Sequence, residues 1–299
     1  LVVAIVATVA TTLALGEQVW LRQAQNMADR AQAISLRQGA LNYAAILLAR
    51  DDANVDHLDE LWAKPLPPLP VEGGMIAFAV SDAQGLFNLN NLVRAGAPNI
   101  ADMDMFRRLL RSQGLEPSLA EALRDWLDPD SNLSPGGAED IEYLSQPQPY
   151  RTANQALTSV DELRLVKGFS AKAVDKLRPY VMALPATVST PVNVNTAPDQ
   201  VLADLTNLPV AVLKPLLESR VTQPFKSLDE FKNRLPPGTT PQVSYGINTG
   251  YFLVTIDIRY GRLQRRTEAL IQRAAGGKAT VLWHQLPPLQ LETDPDAKT

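Results

Sequence analysis

The stretch from Asp128 to Glu139 carries the residues best suited to chemistry. It places oxygen-bearing side chains at its first, third and fifth positions, on Asp128, Asp130 and Asn132, and a glutamate, Glu139, at its twelfth. This is the ligand spacing of a calcium-binding loop, because a hard cation takes about six to eight oxygen ligands, often including a bidentate carboxylate. The spacing predicts a calcium site in this loop.

The loop departs from an EF-hand at its sixth position, where Leu133 stands in place of the glycine that allows the sharp turn. Pro135 and the pair Gly136-Gly137 favour a different backbone path, and no long second helix follows. Further carboxylates crowd the same segment, on Asp125, Asp140 and Glu142. Such crowding is costly without a cation, which favours calcium in a loop that is not an EF-hand.

Two other interpretations of this segment stay open. It could be a solvated acidic turn that ends the helix at Trp126. Its carboxylates could also form a general acid–base pair in a hydrolase, although the sequence supplies no nucleophile motif beside them.

The composition narrows the classes of protein. The chain has no cysteine, which excludes disulfides, thiolate metal sites and a cysteine nucleophile. Its two histidines, His57 and His284, leave little for a histidine-based metal or acid–base centre. The net charge of −4 argues against a nucleic-acid-binding protein, whose binding surface is normally basic.

The first fifty residues predict one long helix. Leu1–Leu15 carries no charge, and Glu17 is the first ionisable residue. We expect the chain to begin inside a membrane-spanning segment, because this run is shorter than the roughly 20 apolar residues that a span needs. A cleavable secretory signal is the alternative. Apolar and small residues then recur every three or four positions, a stripe that needs a partner surface: Trp20, Ala24, Met27, Ala31, Ile34, Leu41, Ala45 and Leu48.

Strand patterns occur in two separate parts of the chain. The proline-rich segment Lys64–Pro70 predicts a connector without regular structure. A β-hairpin is predicted for the two strand patterns that follow, at Met75–Val80 and Leu86–Leu92. Three later strands are predicted, at Tyr251–Tyr260, Arg266–Gln272 and Thr280–His284. Neither group is stable alone, so we expect one antiparallel sheet packed on the C-terminal half of the long helix.

The region between the strands predicts helices. Residues 99–184 show helical apolar spacing without a convincing strand, over Met103–Gln113, Ser118–Leu127, Ser159–Val166 and Ala171–Val181. A smaller helical module follows, with Thr196 as the expected N-cap of its first helix and helices at Leu202–Leu208, Ala211–Arg220 and Ser227–Arg234. The fold class is therefore α+β, with a large inserted all-α domain.

Two segments, Thr158–Tyr180 and Val192–Leu235, resemble helix-hairpin-helix modules, and the second also resembles DNA-uptake proteins of that class. Such modules bind phosphate through backbone N–H groups of a glycine-rich hairpin. The first hairpin has only Lys167-Gly168-Phe169, and the second, which starts at Asn207, has no glycine. We expect packing units without a phosphate site. A membrane-anchored helix-hairpin-helix protein of DNA binding or uptake is the alternative function.

The order of these parts resembles the K-type minor pseudopilin of bacterial type II secretion systems. The resemblance rests on the apolar first helix, GLFNLNNL from Gly85, DWLDPDSN from Asp125, DELRLVKG from Asp161 and VNVNTAP from Val192, and it extends from Leu1 to Trp283. It implies a pilin-like fold and a structural protein, not an enzyme. It also implies a single-pass anchor in the inner membrane, with most of the chain in the periplasm.

The resemblance further implies partners and ligands. Family members are cut and N-methylated by prepilin peptidase and sit at the pseudopilus tip with the I- and J-type minor pseudopilins. The H-type minor pseudopilin and the major pseudopilin are further implied partners, and the implied role is protein secretion across the outer membrane and pseudopilus initiation. Structural calcium is carried by the inserted domain, which points here to Asp128, Asp130, Glu139, Asp140 and Glu142.

Together these interpretations divide the chain into six parts. They are the start of the membrane helix (1–22), the first part of a pilin-like α/β domain (23–98), the inserted all-α domain (99–185), a second small α module (186–240), the C-terminal strands of the pilin-like domain (241–286) and a disordered tail (287–299).

Overall fold

The computed structural model describes residues 2–185, 189–274 and 276–285. The tail predicted to be disordered lies outside these residues. The described chain forms two compact units, and the second is inserted in the sequence of the first. This confirms the α+β class and the inserted helical domain. The finer division at residues 22, 98, 185, 240 and 286 stays a prediction.

The first unit combines the described residues within 1–50, 64–81 and 253–285. It holds one long helix, α1 (Val2–Ala49), and a five-stranded sheet. In their order across the sheet, the strands are β1 (Leu69–Val71), β2 (Gly74–Asp82), β9 (Tyr251–Tyr260), β10 (Leu263–Arg273) and β11 (Ala279–Gln285). The pairs β1–β2 and β10–β11 are antiparallel.

Helix α1 packs on β10 and β11, as predicted for the C-terminal half of the helix. Its buried face consists of small residues and leucines, which allow a close approach to the sheet: Ala33, Ala40, Leu41, Ala44 and Leu48. In the sheet, β9 has the alternating buried residues Val254, Ile256 and Ile258.

The predicted stripe of α1 coincides with this buried face only in part. Leu41 and Leu48 are buried, whereas Trp20, Met27 and Ile34 are 68%, 69% and 52% exposed. The N-terminal half of the helix therefore keeps an uncovered apolar face. Within the described residues, no helix combines the length and the apolar character needed to cross a membrane.

Of two local predictions in this part of the chain, one holds in part and one was wrong. The connector has no helix or strand from Lys64 to Pro68, but its last two residues belong to β1, which lies at the sheet edge where a proline such as Pro70 is tolerated. The segment Leu86–Leu92 is not the second strand of a hairpin. Only Phe87 and Asn88 are extended, they pair in parallel with Val181 and Met182, and a 3-10 turn follows.

The second unit combines Asp51–Ala63 with Asp82–Phe252 and is mostly helical. Its α-helices are α2 (Ile100–Ser112), α3 (Leu119–Leu127), α4 (Asp140–Leu144), α5 (Ala171–Leu177), α6 (Asp199–Thr206), α7 (Val210–Thr222) and α8 (Leu228–Arg234). A 3-10 helix covers Val160–Leu165. Two-residue strands join the loops: β3 (Phe87–Asn88), β4 (Val93–Arg94), β5 (Ala97–Pro98), β6 (Val181–Met182), β7 (Val192–Asn193) and β8 (Tyr245–Gly246).

Side-chain N-caps explain three of these helix starts. Asn99, Ser170 and Ser227 each accept a backbone N–H in the first turn of α2, α5 and α8. The predicted N-cap Thr196 was wrong, because α6 begins after Pro198 and the Thr196 hydroxyl donates to Asp82 Oδ2 at 2.6 Å.

One hydrophobic core runs through the helical unit. Phe87 stacks on Phe106 of α2, with ring centroids 5.9 Å apart, and Phe225 packs edge-on against Phe231 at 5.1 Å. Helix α2 also contacts α6. The predicted all-α domain and the smaller module thus share a single core.

Candidate metal centre

Three acidic side chains meet between the end of α3 and the start of α4. Asp128 follows the last residue of α3, and Glu139 precedes the first residue of α4. Each of Asp128, Asp130 and Glu139 presents a carboxylate oxygen, and these oxygens lie within 4.8 Å of one another. The loop between the two helices therefore brings three predicted ligands to one point.

Two of these carboxylates are buried, and three of their four oxygens have no hydrogen-bond donor. Asp128 is 3% exposed and Glu139 is 5% exposed. Among the described residues, neither Asp128 Oδ1 nor either carboxylate oxygen of Glu139 has a hydrogen-bond partner. Buried polar atoms are nearly always satisfied, and an unsatisfied buried acceptor costs about 1–3 kcal/mol or more if it is charged. The loop therefore has three buried acceptor oxygens that a bound cation would satisfy.

The electrostatics are unfavourable to the ionised acids alone. Burial, together with the charges of Asp125 and Asp128, raises the pKa of the Glu139 carboxyl to about 7. Burial and the charges of Asp130 and Asp125 raise the pKa of Asp128 to about 6. Arg124 offsets only part of this, with Nε 3.6 Å from Asp128 Oδ2. A bound cation would reverse both shifts.

Asp125 fixes the loop through hydrogen bonds to Ser134. It is fully buried, and its carboxylate accepts hydrogen bonds from the backbone N–H of Ser134, at 3.0 Å, and from the Ser134 hydroxyl. Lys167 Nζ donates to the Gly137 carbonyl at 3.3 Å. Sequence reasoning missed the Ser134 contact, because one serine in a polar loop carries no distinguishing signal.

The sharp turn of the loop lies later than in an EF-hand. Gly136 has a φ of +87°, in the left-handed region that favours glycine. Leu133, at the position where an EF-hand has its glycine, is 56% exposed. The structure thus supplies the turn through the Gly136-Gly137 pair.

The structure gives the other three predicted ligands different contacts. Asn132 is exposed, and its backbone N–H donates to Asp130 Oδ1 at 2.7 Å. Asp140 Oδ1 accepts hydrogen bonds of 3.0 Å from the N–H and from the hydroxyl of Thr152, and Oδ2 pairs with Arg151. Glu142 Oε2 accepts the N–H of Glu139 at 2.9 Å. These contacts brace the loop around the three clustered acids.

The donor chemistry fits a hard cation. The cluster consists of carboxylates alone, which suit calcium, magnesium or manganese better than the softer metals that prefer nitrogen or sulfur. The three unpartnered oxygens are the atoms that a cation would satisfy. Asp128, Asp130 and Glu139 would hold the ion.

A second acidic group, of Asp51, Asp56 and Glu60, has a different character. Asp56 is fully buried, and its Oδ2 accepts the backbone N–H of Thr249 at 2.7 Å. Glu60 accepts the indole N–H of Trp62 and, at 3.3 Å, the backbone N–H of His57. Protein donors therefore already engage this group.

Comparison with known proteins decides the family. Two family models, both described as type II secretion system (T2SS), protein K, match residues 85–186 and 192–248, which together make up more than half of the chain. The chain belongs to the type II secretion system protein K family. The family is a structural one of minor pseudopilins in type II secretion, not a family of enzymes, and it is in general membrane-associated and periplasmic.

Relatives of the protein K family cover nearly the whole chain. The type II secretion system protein K of Pseudomonas aeruginosa is 34% identical over 94% of this chain and 89% of its own length. That of Pectobacterium carotovorum subsp. carotovorum is 30% identical over 94% of this chain and 95% of its own. A chain in the crystal structure of the GspK-GspI-GspJ complex from enterotoxigenic Escherichia coli has a TM-score of 0.69, at 26% identity over 89% of this chain and 98% of that one.

Proposed function

We propose that this minor pseudopilin lies at the tip of the type II secretion pseudopilus, in a complex with the I- and J-type minor pseudopilins. The similar chain of enterotoxigenic Escherichia coli was crystallised in a GspK-GspI-GspJ complex, which supports the same set of partners here. The observation that carries the proposal is the uncovered apolar face of α1. Trp20, Met27 and Ile34 recur every seven residues on a helix whose other half already packs on its own sheet.

Such a face suits packing between parallel helices. A heptad-spaced apolar stripe is the seam by which helices join side by side. The neighbouring α1 helices of related pseudopilins would cover Trp20, Met27 and Ile34. The inserted helical unit suits a terminal position, because a bulky insertion in every subunit would obstruct the stacking of subunits in a filament.

The proposal includes structural calcium at Asp128, Asp130 and Glu139. Its support is the set of three buried acceptor oxygens without donors, together with the raised pKa values of Asp128 and Glu139. Asn132 would position Asp130 through its backbone N–H, which donates to the Asp130 carboxylate. Asp140 and Glu142 would keep their protein hydrogen-bond partners and stabilise the loop. Calcium would link the end of α3 to the start of α4 and so stabilise the helical unit.

The N-terminal helix carries the remaining parts of the proposal. A single span at the start of α1 would anchor the protein in the bacterial inner membrane, with the rest in the periplasm. Prepilin peptidase would cleave and N-methylate the precursor. The tip complex would then initiate the pseudopilus, which the H-type minor pseudopilin and the major pseudopilin extend for secretion across the outer membrane. The apolar composition of residues 1–15 supports the anchor.

The assembly is tested by light scattering after size-exclusion chromatography. The full chain is mixed with the I- and J-type pseudopilins of the same secretion system, in detergent and with calcium. One peak with the mass of a three-protein complex is the expected result. Elution of the three proteins separately would contradict the tip assignment. Salt-sensitive binding to a DNA duplex would favour the helix-hairpin-helix alternative instead.

A further inference from the structure

A pocket of about 400 Å³ lies where α2 meets the turn between α6 and α7. This turn is the second hairpin, whose sequence has no glycine. Asn207 fills the position that requires a left-handed backbone, with φ 56° and ψ 36°, a conformation that asparagine tolerates better than most residues. The hairpin therefore closes tightly without glycine.

Two arginines of α2 line this pocket. Arg108 Nε donates to the Asp204 carbonyl at 2.8 Å, which fixes its guanidinium at the wall. Arg111 is exposed, and among the described residues its guanidinium has no hydrogen bond or ion pair. Burial, and also the charge of Arg111, lower the pKa of Arg108. The two positive charges thus lie close together with spare donor capacity.

The remaining lining sets the charge and shape of a ligand. The Asp204 carboxylate is engaged by Ser112 Oγ at 3.2 Å and by Gln200 Nε2 at 3.1 Å. Two arginines and one aspartate leave the pocket with a formal excess of one positive charge. Leu208, Pro209 and Val210 provide an apolar wall beside it.

We propose that this pocket binds a single carboxylate on an aliphatic stem. Guanidinium groups bind carboxylates through paired N–H donors, and one carboxylate neutralises the excess charge. The apolar wall would contact the aliphatic stem. A polyanion fits poorly, because Asp204 lines the pocket and the chain has a net charge of −4. The inference depends neither on the tip position nor on calcium.

The test is an NMR titration of the full chain with butyrate, which has one carboxylate and an aliphatic stem. The side-chain N–H signals of Arg108 and Arg111 and the backbone amides of the hairpin are followed. The expected result is a saturable shift with butyrate and none with butyramide, its neutral counterpart. The absence of saturation at about 100 mM butyrate, far above a millimolar Kd, would overturn the proposal.

A pair of matched variants locates the site. Arg111→Gln is expected to weaken butyrate binding by about tenfold or more, because it removes a charge-assisted hydrogen bond. Arg259→Gln makes the same change on the exposed side of β9 and is expected to leave binding unchanged. An equal response to butyramide, no effect of Arg111→Gln, or tighter binding of inorganic phosphate or of a short DNA duplex would each overturn the carboxylate assignment.

Discussion

Gly137 lies directly against the carboxylate of Asp125, so that a Cβ atom at position 137 would come within 1.9 Å of Asp125 Oδ2. Asp125 is fully buried and is held by Ser134, and it cannot withdraw into solvent. Gly137 is therefore required by close packing, whereas the preceding Gly136 is required by its left-handed backbone conformation.

We accordingly expect Gly137→Ala to lower the free energy of unfolding by about 1–3 kcal/mol or more, the usual cost of overpacking a tight site. Gly39→Ala is the matched control, because nothing lies within 4 Å of a Cβ at that helical position. The control should be neutral or stabilising by up to about 1 kcal/mol. Denaturant unfolding followed by circular dichroism measures both. Equal stability of the two variants would contradict this account of the loop.

Glu139→Gln separates the cost of the buried charge from the benefit of calcium. Without calcium, at about pH 8, the variant should be more stable than the parent by about 1–3 kcal/mol, because it removes a charge that has no donor. It should also lose most of the stabilisation by calcium, which for a site at a hundred times its Kd is about 2.7 kcal/mol.

The control for this variant is Glu218→Gln, on the exposed face of α7. It should follow the parent with and without calcium. Thermal unfolding in calcium and in chelator provides the comparison. If calcium stabilised Glu139→Gln as strongly as the parent, Glu139 would not be a ligand.

The stability of the calcium-free protein should depend on pH through the same cluster. The pKa of Glu139 is raised from 4.5 to about 7 and that of Asp128 from 3.8 to about 6. A raised carboxyl pKa stabilises the folded state at low pH, and this contribution is lost as the pH rises through the folded pKa. Calcium prefers the ionised acids, so its stabilising effect should grow over the same range.

Other groups titrate in this range, among them Glu60, whose pKa is raised by burial to about 7. The measurement is therefore the difference in unfolding free energy between the parent and Glu139→Gln, from about pH 5 to pH 8 in chelator. The parent should lose stability relative to the variant as the pH rises. A flat difference would show that Glu139 is not perturbed.

Met27→Glu tests the uncovered face of α1. Met27 is 69% exposed, so the unfolding midpoint should change little. A charge in an apolar helix seam should weaken the complex with the I- and J-type pseudopilins by about tenfold or more. Gln25→Glu adds the same charge about 200° away around the helix and should leave assembly intact. Scattering mass against concentration distinguishes them, and equal loss in both variants would argue for a nonspecific charge effect.

Sequence patterns could predict the helices and strands whose conformation is determined by residues within the element itself. The strand Tyr251–Tyr260 alternates clearly, and the long helix has continuous helical spacing. The failed hairpin at Leu86–Leu92 depends instead on distant partners. Asn90 Nδ2 donates to the carbonyls of Leu157 and Leu184 at 2.9 Å and 2.7 Å, which holds the 3-10 turn in place. No local pattern encodes such contacts.

The candidate site shows the same limit. Loop spacing could predict that Asp128, Asp130 and Glu139 converge, because all three lie in one short segment. It could not show that Thr152 occupies Asp140 Oδ1, or that Glu142 caps the helix start at Glu139. Carboxylates adjacent in sequence are equivalent as candidates until the fold gives each of them a partner.

The insertion between β2 and β9 also bears on the order of folding. These strands are neighbours in the sheet, yet most of the helical unit, all of it except Asp51–Ala63, separates them along the chain. Closing so long a loop adds little to the equilibrium cost but slows the encounter of the strands. During synthesis β2 is made well before β9, so the edge of β2 that pairs with β9 stays without its partner strand until then. The helical unit, rich in local contacts, should therefore fold first and bring the two halves of the sheet together.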